Sequence, residues 1–237
     1  MRNSYHLKNY AEIKERVYLC NIELPKHGIV IYNFGNVSMV DRDEEIIAIK
    51  PSGVMYDVMQ PDDIVIVDFA GNIIDGKLRP SSDTMTHLEL YKNFPQIGGV
   101  VHTHSTYAVA WAQAAKPVPI YGTTHADHLH EEIPVTDFMT EEMIKGNYEI
   151  ATGQQIVNTF KNLDPNEIQM VLVAGHGPFT WGDNPEKALY NSVILEELAK
   201  MALLTQSINP NTPCLQQALI DKHYNRKHGK NAYYGQK

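Results

Sequence analysis

Apolar and polar positions along this chain switch between a helical period and a strand period, and the switches mark out its elements. Leu7, Tyr10, Ala11, Val17 and Tyr18 recur at helical spacing, and Pro25 is expected to close that first helix. β-Rich runs follow at residues 30–32, 37–40, 46–49 and 64–69. They are separated by turn residues such as Pro51-Ser52-Gly53, Pro61-Asp62-Asp63 and Gly71-Asn72. Residues 83–94 return to helical spacing, with Ser82 or Asp83 as N-cap. Residues 99–104 read as a buried strand, after which Ser105 caps a helix to residue 114. A short strand at 118–121, a helix at 153–163 and a buried strand at 170–174 come next. Asn184-Pro185 starts a helix with proline at its first position, which runs to residue 206. A last helix covers residues 215–228 and stops at Gly229, leaving a polar, aromatic tail.

Strands arriving as meanders with helices between them predict an α/β fold. Its expected form is a mixed or mainly antiparallel central sheet covered by helices. Neither a repeat nor a linker-like change of composition interrupts the 237 residues, so residues 1–237 are read as one domain. A formal net charge of -8 speaks against a nucleic-acid surface, yet leaves room for one basic site that holds a phosphate. Cys20 and Cys214 are too few for a disulfide framework or a cysteine-rich zinc module, which makes a reducing cytoplasm the expected setting. The N-terminal stretch is charged and amphipathic, and the apolar segment 188–204 is interrupted by Glu196, Glu197 and Lys200. No membrane span is expected.

The eleven histidines are unevenly placed. His102 and His104 stand two apart on an expected strand, so both imidazoles project from one face. His176 follows the next buried strand between Gly175 and Gly177, where the backbone is able to turn sharply. Three imidazoles with an open position suit a catalytic divalent ion, zinc first and other metals after it. Alone, His-x-His is a short pattern with many chance matches. His125, His128 and His130 around Asp127, on an expected loop, form a rival cluster.

Three small-residue turns offer N–H groups or hydroxyls to an anion: Gly35-Asn36, Lys50-Pro51-Ser52-Gly53 and Pro80-Ser81-Ser82-Asp83. Lys50 adds charge, and Ser81 and Ser82 open a helix whose N-terminus favours anions. Each turn alone is an ordinary connection; together they suggest a phosphate grip.

In order along the chain, these motifs resemble the class II aldolase and adducin-head family. They are Gly35-Asn36, Lys50-Pro51-Ser52-Gly53, Ser81-Ser82-Asp83-Thr84, His102-Thr103-His104-Ser105, Thr123-Thr124-His125-Ala126-Asp127, Gly175-His176-Gly177-Pro178, Asp221-Lys222-His223-Tyr224 and Ala232-Tyr233-Tyr234-Gly235-Gln236. The likeness spans residues 24–236. The histidines mark the family, whereas the Ser-Ser-Asp turn, the Thr-Thr-His-Ala-Asp loop and the tail resemble its epimerase branch. The resemblance implies α/β/α layers around an antiparallel sheet, and a homotetramer with active sites between subunits. It also implies zinc, or Mn2+ or another divalent ion, on His102, His104 and His176. Asp83 would be a fourth ligand or a polar neighbour of the ion. Gly35, Asn36, Lys50, Ser52, Gly53, Ser81 and Ser82 would hold a sugar phosphate, with Arg226 reaching its phosphate. Asp127 and Tyr234 would exchange protons with support from His223. One departure is visible: relatives often carry a histidine where Ala174 stands.

The implied activity is inversion at carbon 4 of a ketopentose phosphate. That hydrogen is not adjacent to the carbonyl and is not acidic. Inversion therefore needs a retro-aldol cleavage between carbons 3 and 4, rotation of the aldehyde and re-addition. An aldolase that releases its fragments is the alternative within the family, although aldolases typically carry Glu at the position of Asp83. A non-catalytic, adducin-like head is a third reading, and such a head need not keep the three histidines.

Overall fold

The computed structural model describes residues 10–230, 232 and 233. Seven strands form one sheet: β1 (Asn36–Asp41), β2 (Ile46–Ile49), β3 (Val65–Asp68), β4 (Ile73–Asp75), β5 (Gly99–His102), β6 (Met170–Val173) and β7 (Gly177–Gly182). Their order is β4-β3-β2-β1-β5-β7-β6, and every pairing is antiparallel. The helices are α1 (Ala11–Lys26), α2 (Thr84–Asn93), α3 (Thr106–Gln113), α4 (Thr123–Ala126), α5 (Glu141–Lys145), α6 (Tyr148–Thr159), α7 (Pro185–Ile208) and α8 (Gln217–His228).

Strand side chains alternate between two cores, as a sheet covered on both faces requires. Ile47, Val65, Val67 and Val100 join α2, α3, α6 and the later half of α7 on one face. Ala48, Ile66, Val37 and Val101 join Val17, Cys20 and Leu24 of α1 on the other. Each fully buried Ile, Val or Leu in these layers contributes about 1.5–3 kcal/mol relative to exposure. The long helix α7 serves both cores: Ala188 and Leu189 pack with α1, and Leu195, Leu198 and Ala202 pack beneath α3. Its start is capped as its sequence predicts, with the Asn184 side chain accepting from the Lys187 N–H. Among the described residues, no helix is long and apolar enough to cross a membrane.

Several local expectations are corrected. Residues 30–32 form no strand; Ile31 and Tyr32 are 53% and 75% exposed, and Tyr32 takes a positive φ. Residues 118–121 contribute only an isolated bridge from Val118 to Ile133. The segment around Asp127 begins as the short helix α4 rather than a loop, and α6 starts at Tyr148, five residues before the expected boundary. Pro25 lies inside the last turn of α1, one residue before its end. Strand β4 was not anticipated, and neither was β7, whose Gly177-Pro178 opening reads as a strand breaker.

Candidate active site

Strand β7 explains how the histidines converge. It forms a tight hairpin with β6, in which Val173 pairs with Gly177, and His176 occupies the three-residue turn. Gly175 takes φ +71 there, a conformation that costs a side-chain-bearing residue about 1–2 kcal/mol. The other edge of β7 pairs with β5, so His102 lies opposite Phe179 and its ring stacks on that phenyl at 4.2 Å. The hairpin turn and the end of β5 are thereby adjacent. His104 lies beyond β5, which ends at His102, so the expected same-strand spacing is corrected; it joins the group from the segment leading into α3.

The ligating nitrogens of His102, His104 and His176 all lie within 4.8 Å of one another. His102 Nδ1 is 2.9 Å from the Pro178 carbonyl, which only accepts, so Nδ1 carries the hydrogen and Nε2 keeps its lone pair for an ion. Burial, with help from His102, keeps His104 below the usual histidine range. Burial and the two neighbouring imidazoles push His176 down to about 3. Imidazoles on three converging elements are the donor set a divalent ion requires, and these residues fit one. Asp83 is not part of that group of donors. Its Oδ2 instead accepts from Asn36 Nδ2 at 2.7 Å. Burial raises the Asp83 carboxyl, but His102, His87, the Asn36 hydrogen bond and His176 outweigh it and leave it low.

The expected phosphate turns surround the same cavity, of about 430 Å3, within the range of small-molecule sites. Gly35, Asn36, Lys50, Ser52, Gly53, Ser81, Ser82, Asp83 and the three histidines all line it. Gly35 has φ +83, and a Cβ there would meet the His102 carbonyl at 2.8 Å, so only glycine fits against the end of β5. The other two turns are zipped together: Ser52 N–H donates to Arg79 O at 2.9 Å, and Ser81 N–H donates to Lys50 O at 3.0 Å. Helix α2 begins at Thr84, so Ser81 and Ser82 precede it rather than open it.

Lys50 departs from its expected direct contact with an anion. Its ammonium donates to the carbonyls of Val54 (2.7 Å), Asn33 (3.3 Å) and Pro51 (3.4 Å), and it lies over the Tyr56 ring. Tyr56 in turn donates to Gly35 O at 2.8 Å. The pair ties the first two turns together and places one positive charge behind them. Burial lowers Lys50 to about 8.

Asp127, His223 and Arg226 are not brought to this cavity within one chain. They form a second cluster, where α8 crosses α4. Arg226 grips Asp127 through two hydrogen bonds at 3.0 and 2.7 Å, and His223 Nδ1 lies 2.9 Å from the same carboxylate. Lys227 adds a further charge at 3.7 Å. Burial raises Asp127, but the Arg226 and His223 hydrogen bonds and Lys227 outweigh it, so the carboxyl stays below its usual range. Tyr234 lies outside the described residues. Among the described residues, the rival histidines hold no ion-binding group: His128 packs against Tyr190, and His130 lies near Glu167 and Tyr224.

Sequence reasoning missed Phe34, Tyr148 and Glu149, which also line the cavity. The Tyr148 hydroxyl is 3.5 Å from His176 Nδ1. Its sequence signal was an aromatic directly after Gly146-Asn147, a plausible helix entry.

Solved structures share this architecture. An L-fuculose 1-phosphate aldolase matches with a TM-score of 0.78 and 22% identity, over 94% of this chain and 99% of that one. The L-fuculose-1-phosphate aldolase of Thermus thermophilus matches with a TM-score of 0.65 and 23% identity, over 86% and 100%. YgbL of Klebsiella pneumoniae, described as an aldolase/epimerase/decarboxylase, matches with a TM-score of 0.71 and 22% identity, over 91% and 99%. At these identities the likeness establishes the single-domain α/β fold with its antiparallel sheet between helices. The family model for the Class II Aldolase and Adducin N-terminal domain matches residues 15–203, most of the chain, and the chain belongs to that family.

Proposed function

We propose that this protein interconverts L-ribulose 5-phosphate and D-xylulose 5-phosphate by retro-aldol cleavage and re-addition at carbon 4. The observation that carries the reading is one cavity lined by both the three histidines and the three turns able to offer N–H groups or hydroxyls to an anion. The whole chain, residues 1–237, is read as one such domain. His102, His104 and His176 would hold zinc or another divalent ion, which when bound supplies Lewis-acid charge compensation to the substrate's oxygens. Asp83, held by Asn36, would be its polar neighbour rather than a fourth ligand.

The turns at Gly35-Asn36, Ser52-Gly53 and Ser81-Ser82 would fix the phosphate, so that the aldehyde fragment rotates without leaving. A base takes the proton from the carbon 4 hydroxyl as the bond between carbons 3 and 4 breaks. After rotation and re-addition to the other face, an acid on that face returns a proton to the new alkoxide. Asp127 would take the first role and Tyr234 the second, each regaining its starting protonation by exchange with solvent after turnover; the reverse reaction exchanges them. His223 would support Asp127 through its hydrogen bond. Because Arg226 grips Asp127, its reach to the phosphate would be secondary. These groups would act on the cavity of a neighbouring subunit in a homotetramer.

Purified protein incubated with L-ribulose 5-phosphate is expected to yield D-xylulose 5-phosphate without net glycolaldehyde phosphate. The fuculose-phosphate aldolases among its structural matches favour a second reading, an aldolase that releases its fragments. Cleavage products accumulating at the rate of turnover would select it, and a chain inert toward sugar phosphates under metal load would point to a non-catalytic head.

Lys50 provides a separate expectation. Its charge should be lost above about pH 8, so kcat/KM for a phosphorylated substrate should decline there. Stability should not decline with it. A lysine held below its unfolded value leaves the unfolded chain with more bound protons between about 8 and the ordinary value of 10.5, so its contribution to stability rises with pH across that window. Because its ammonium stands behind the turns rather than on the anion, Lys50→Met should lower kcat/KM at pH 7 by less than the roughly tenfold of one charge-assisted contact, and flatten the profile above pH 8. An unchanged profile in Lys50→Met would remove Lys50 from the explanation.

A further inference from the structure

Asp83 lines the cavity, but the residue behind it does not. His87 stands four positions along, its N–H bonded to the Asp83 carbonyl at 3.0 Å, and side chains at that spacing share a helix face. His87 is fully buried, and its Nε2 has no partner among the described residues. Its other nitrogen is fixed. Nδ1 lies 2.7 Å from Ser38 Oγ, and Ser38 Oγ lies 2.8 Å from the Tyr91 hydroxyl, all three side chains being buried.

Each hydroxyl owns one hydrogen, which fixes the order of donation. If Tyr91 donates to Ser38 and Ser38 donates to Nδ1, both hydroxyl hydrogens are used. Any other order strands a hydroxyl hydrogen in the core, which burial penalises. A neutral imidazole that accepts at Nδ1 carries its hydrogen on Nε2. That donor requires an acceptor. Asn36 Nδ2 and Ser81 Oγ both reach Asp83 Oδ2, and the Oδ1 of that same Asn36 is a buried acceptor without a partner among the described residues.

We propose that His87 is a positioning residue, locked by Ser38 and Tyr91 as the Nε2–H tautomer, which holds the Asn36 amide through one buried water and, through that amide, Asp83 at the cavity wall. The idea rests on Asp83 belonging to the working site, but its test needs no substrate and therefore fails or holds apart from the epimerase reading.

Nitrogen-15 NMR of the metal-free, full-length protein, with His87 assigned by its absence in His87→Gln, should show the one-bond proton on Nε2 and none on Nδ1. A proton on Nδ1 overturns the proposal. A competition titration with Zn2+ provides the second arm. His87→Leu, which keeps volume but no donor, should bind zinc about tenfold more weakly, the scale of losing an outer-shell partner. His87→Gln, which restores an N–H near the Nε2 position, should recover most of that affinity. Wild-type affinity in His87→Leu, or equal losses in both variants, overturns it. Should the leucine variant fail to fold, the tautomer measured on the wild type still decides.

Discussion

His102→Ala and His176→Ala are each expected to abolish both ion binding and turnover, whereas His130→Ala keeps the ion. The three donors come from the end of β5, the segment before α3 and the β6–β7 turn, and they lie within 4.8 Å of one another. Each imidazole would supply one of the three protein bonds to the ion. Removing one leaves two donors, and the loss should exceed the about ten- to hundredfold typical of outer-shell changes. His102→Ala should be the more severe substitution, since it also removes the ring stacked on Phe179 and leaves a buried void. His130 lies in another part of the molecule, near Glu167 and Tyr224, and serves as the control. Elemental analysis checks the set, with circular dichroism to confirm folding. A full complement of metal in folded His102→Ala and His176→Ala would sink the assignment of the site.

Much of this site is legible in the sequence because its parts are short and chemically distinctive. Gly35, Ser52, Gly53, Ser81 and Ser82 stand out as turns able to hold an anion, and the structure gathers them around one cavity with the histidines. The reasoning is less sound for His104, since same-face projection requires a strand and β5 stops two residues earlier. What brings the third imidazole close is the β6–β7 hairpin, and β7 is hidden by local chemistry. Pro178 has no N–H to donate, and Gly177 has low strand propensity, yet both are held in place by β5 and β6 on either side. Here tertiary pairing overrides propensity. The opposite error occurs at residues 30–32, where β-branched and aromatic residues suggest a strand, but only Val30 packs on the core while Ile31 and Tyr32 face solvent.

Helix boundaries are misplaced for similar reasons. Ala151 and Gly153 lie within α6, and Gly153 packs so closely on Glu89 of α2 that a Cβ would come within 2.5 Å of its side chain. That glycine reflects a close helix–helix contact rather than a helix start. Its effect is to hold Tyr148 and Glu149 at the cavity, a placement with no period or motif of its own. Lys50 shows a subtler limit. A lysine beside a glycine turn suggests a direct contact with phosphate, but only the fold reveals the three carbonyls that already engage its ammonium.

Asp127→Asn should reduce turnover by about 10^2–10^4-fold, the usual contribution of a proton-transfer group, while leaving the ion in place. Mixing this inactive protein with inactive His102→Ala is more informative still. In one chain, the carboxylate of Asp127 is clamped by Arg226 and His223 where α4 meets α8, and it is absent from the cavity lined by the histidines. A proton acceptor must come within about 2.6–3.2 Å of the atom it serves. If Asp127 acts in catalysis, its cluster must therefore face the cavity of another subunit. In mixed oligomers of a symmetric assembly, a site receives an intact histidine half and an intact Asp127 half by chance, which for equal mixing is about a quarter of all sites. Activity should rise from near zero toward that fraction as subunits exchange, and Tyr234→Phe should complement His102→Ala in the same way. Asp127→Asn mixed with Tyr234→Phe is the discriminating control: if both residues come from the same neighbour, no site is repaired and the mixture stays inactive. Exchange proven by mass spectrometry with no recovery in either histidine mixture would end the shared-site reading, as would a fully active monomer.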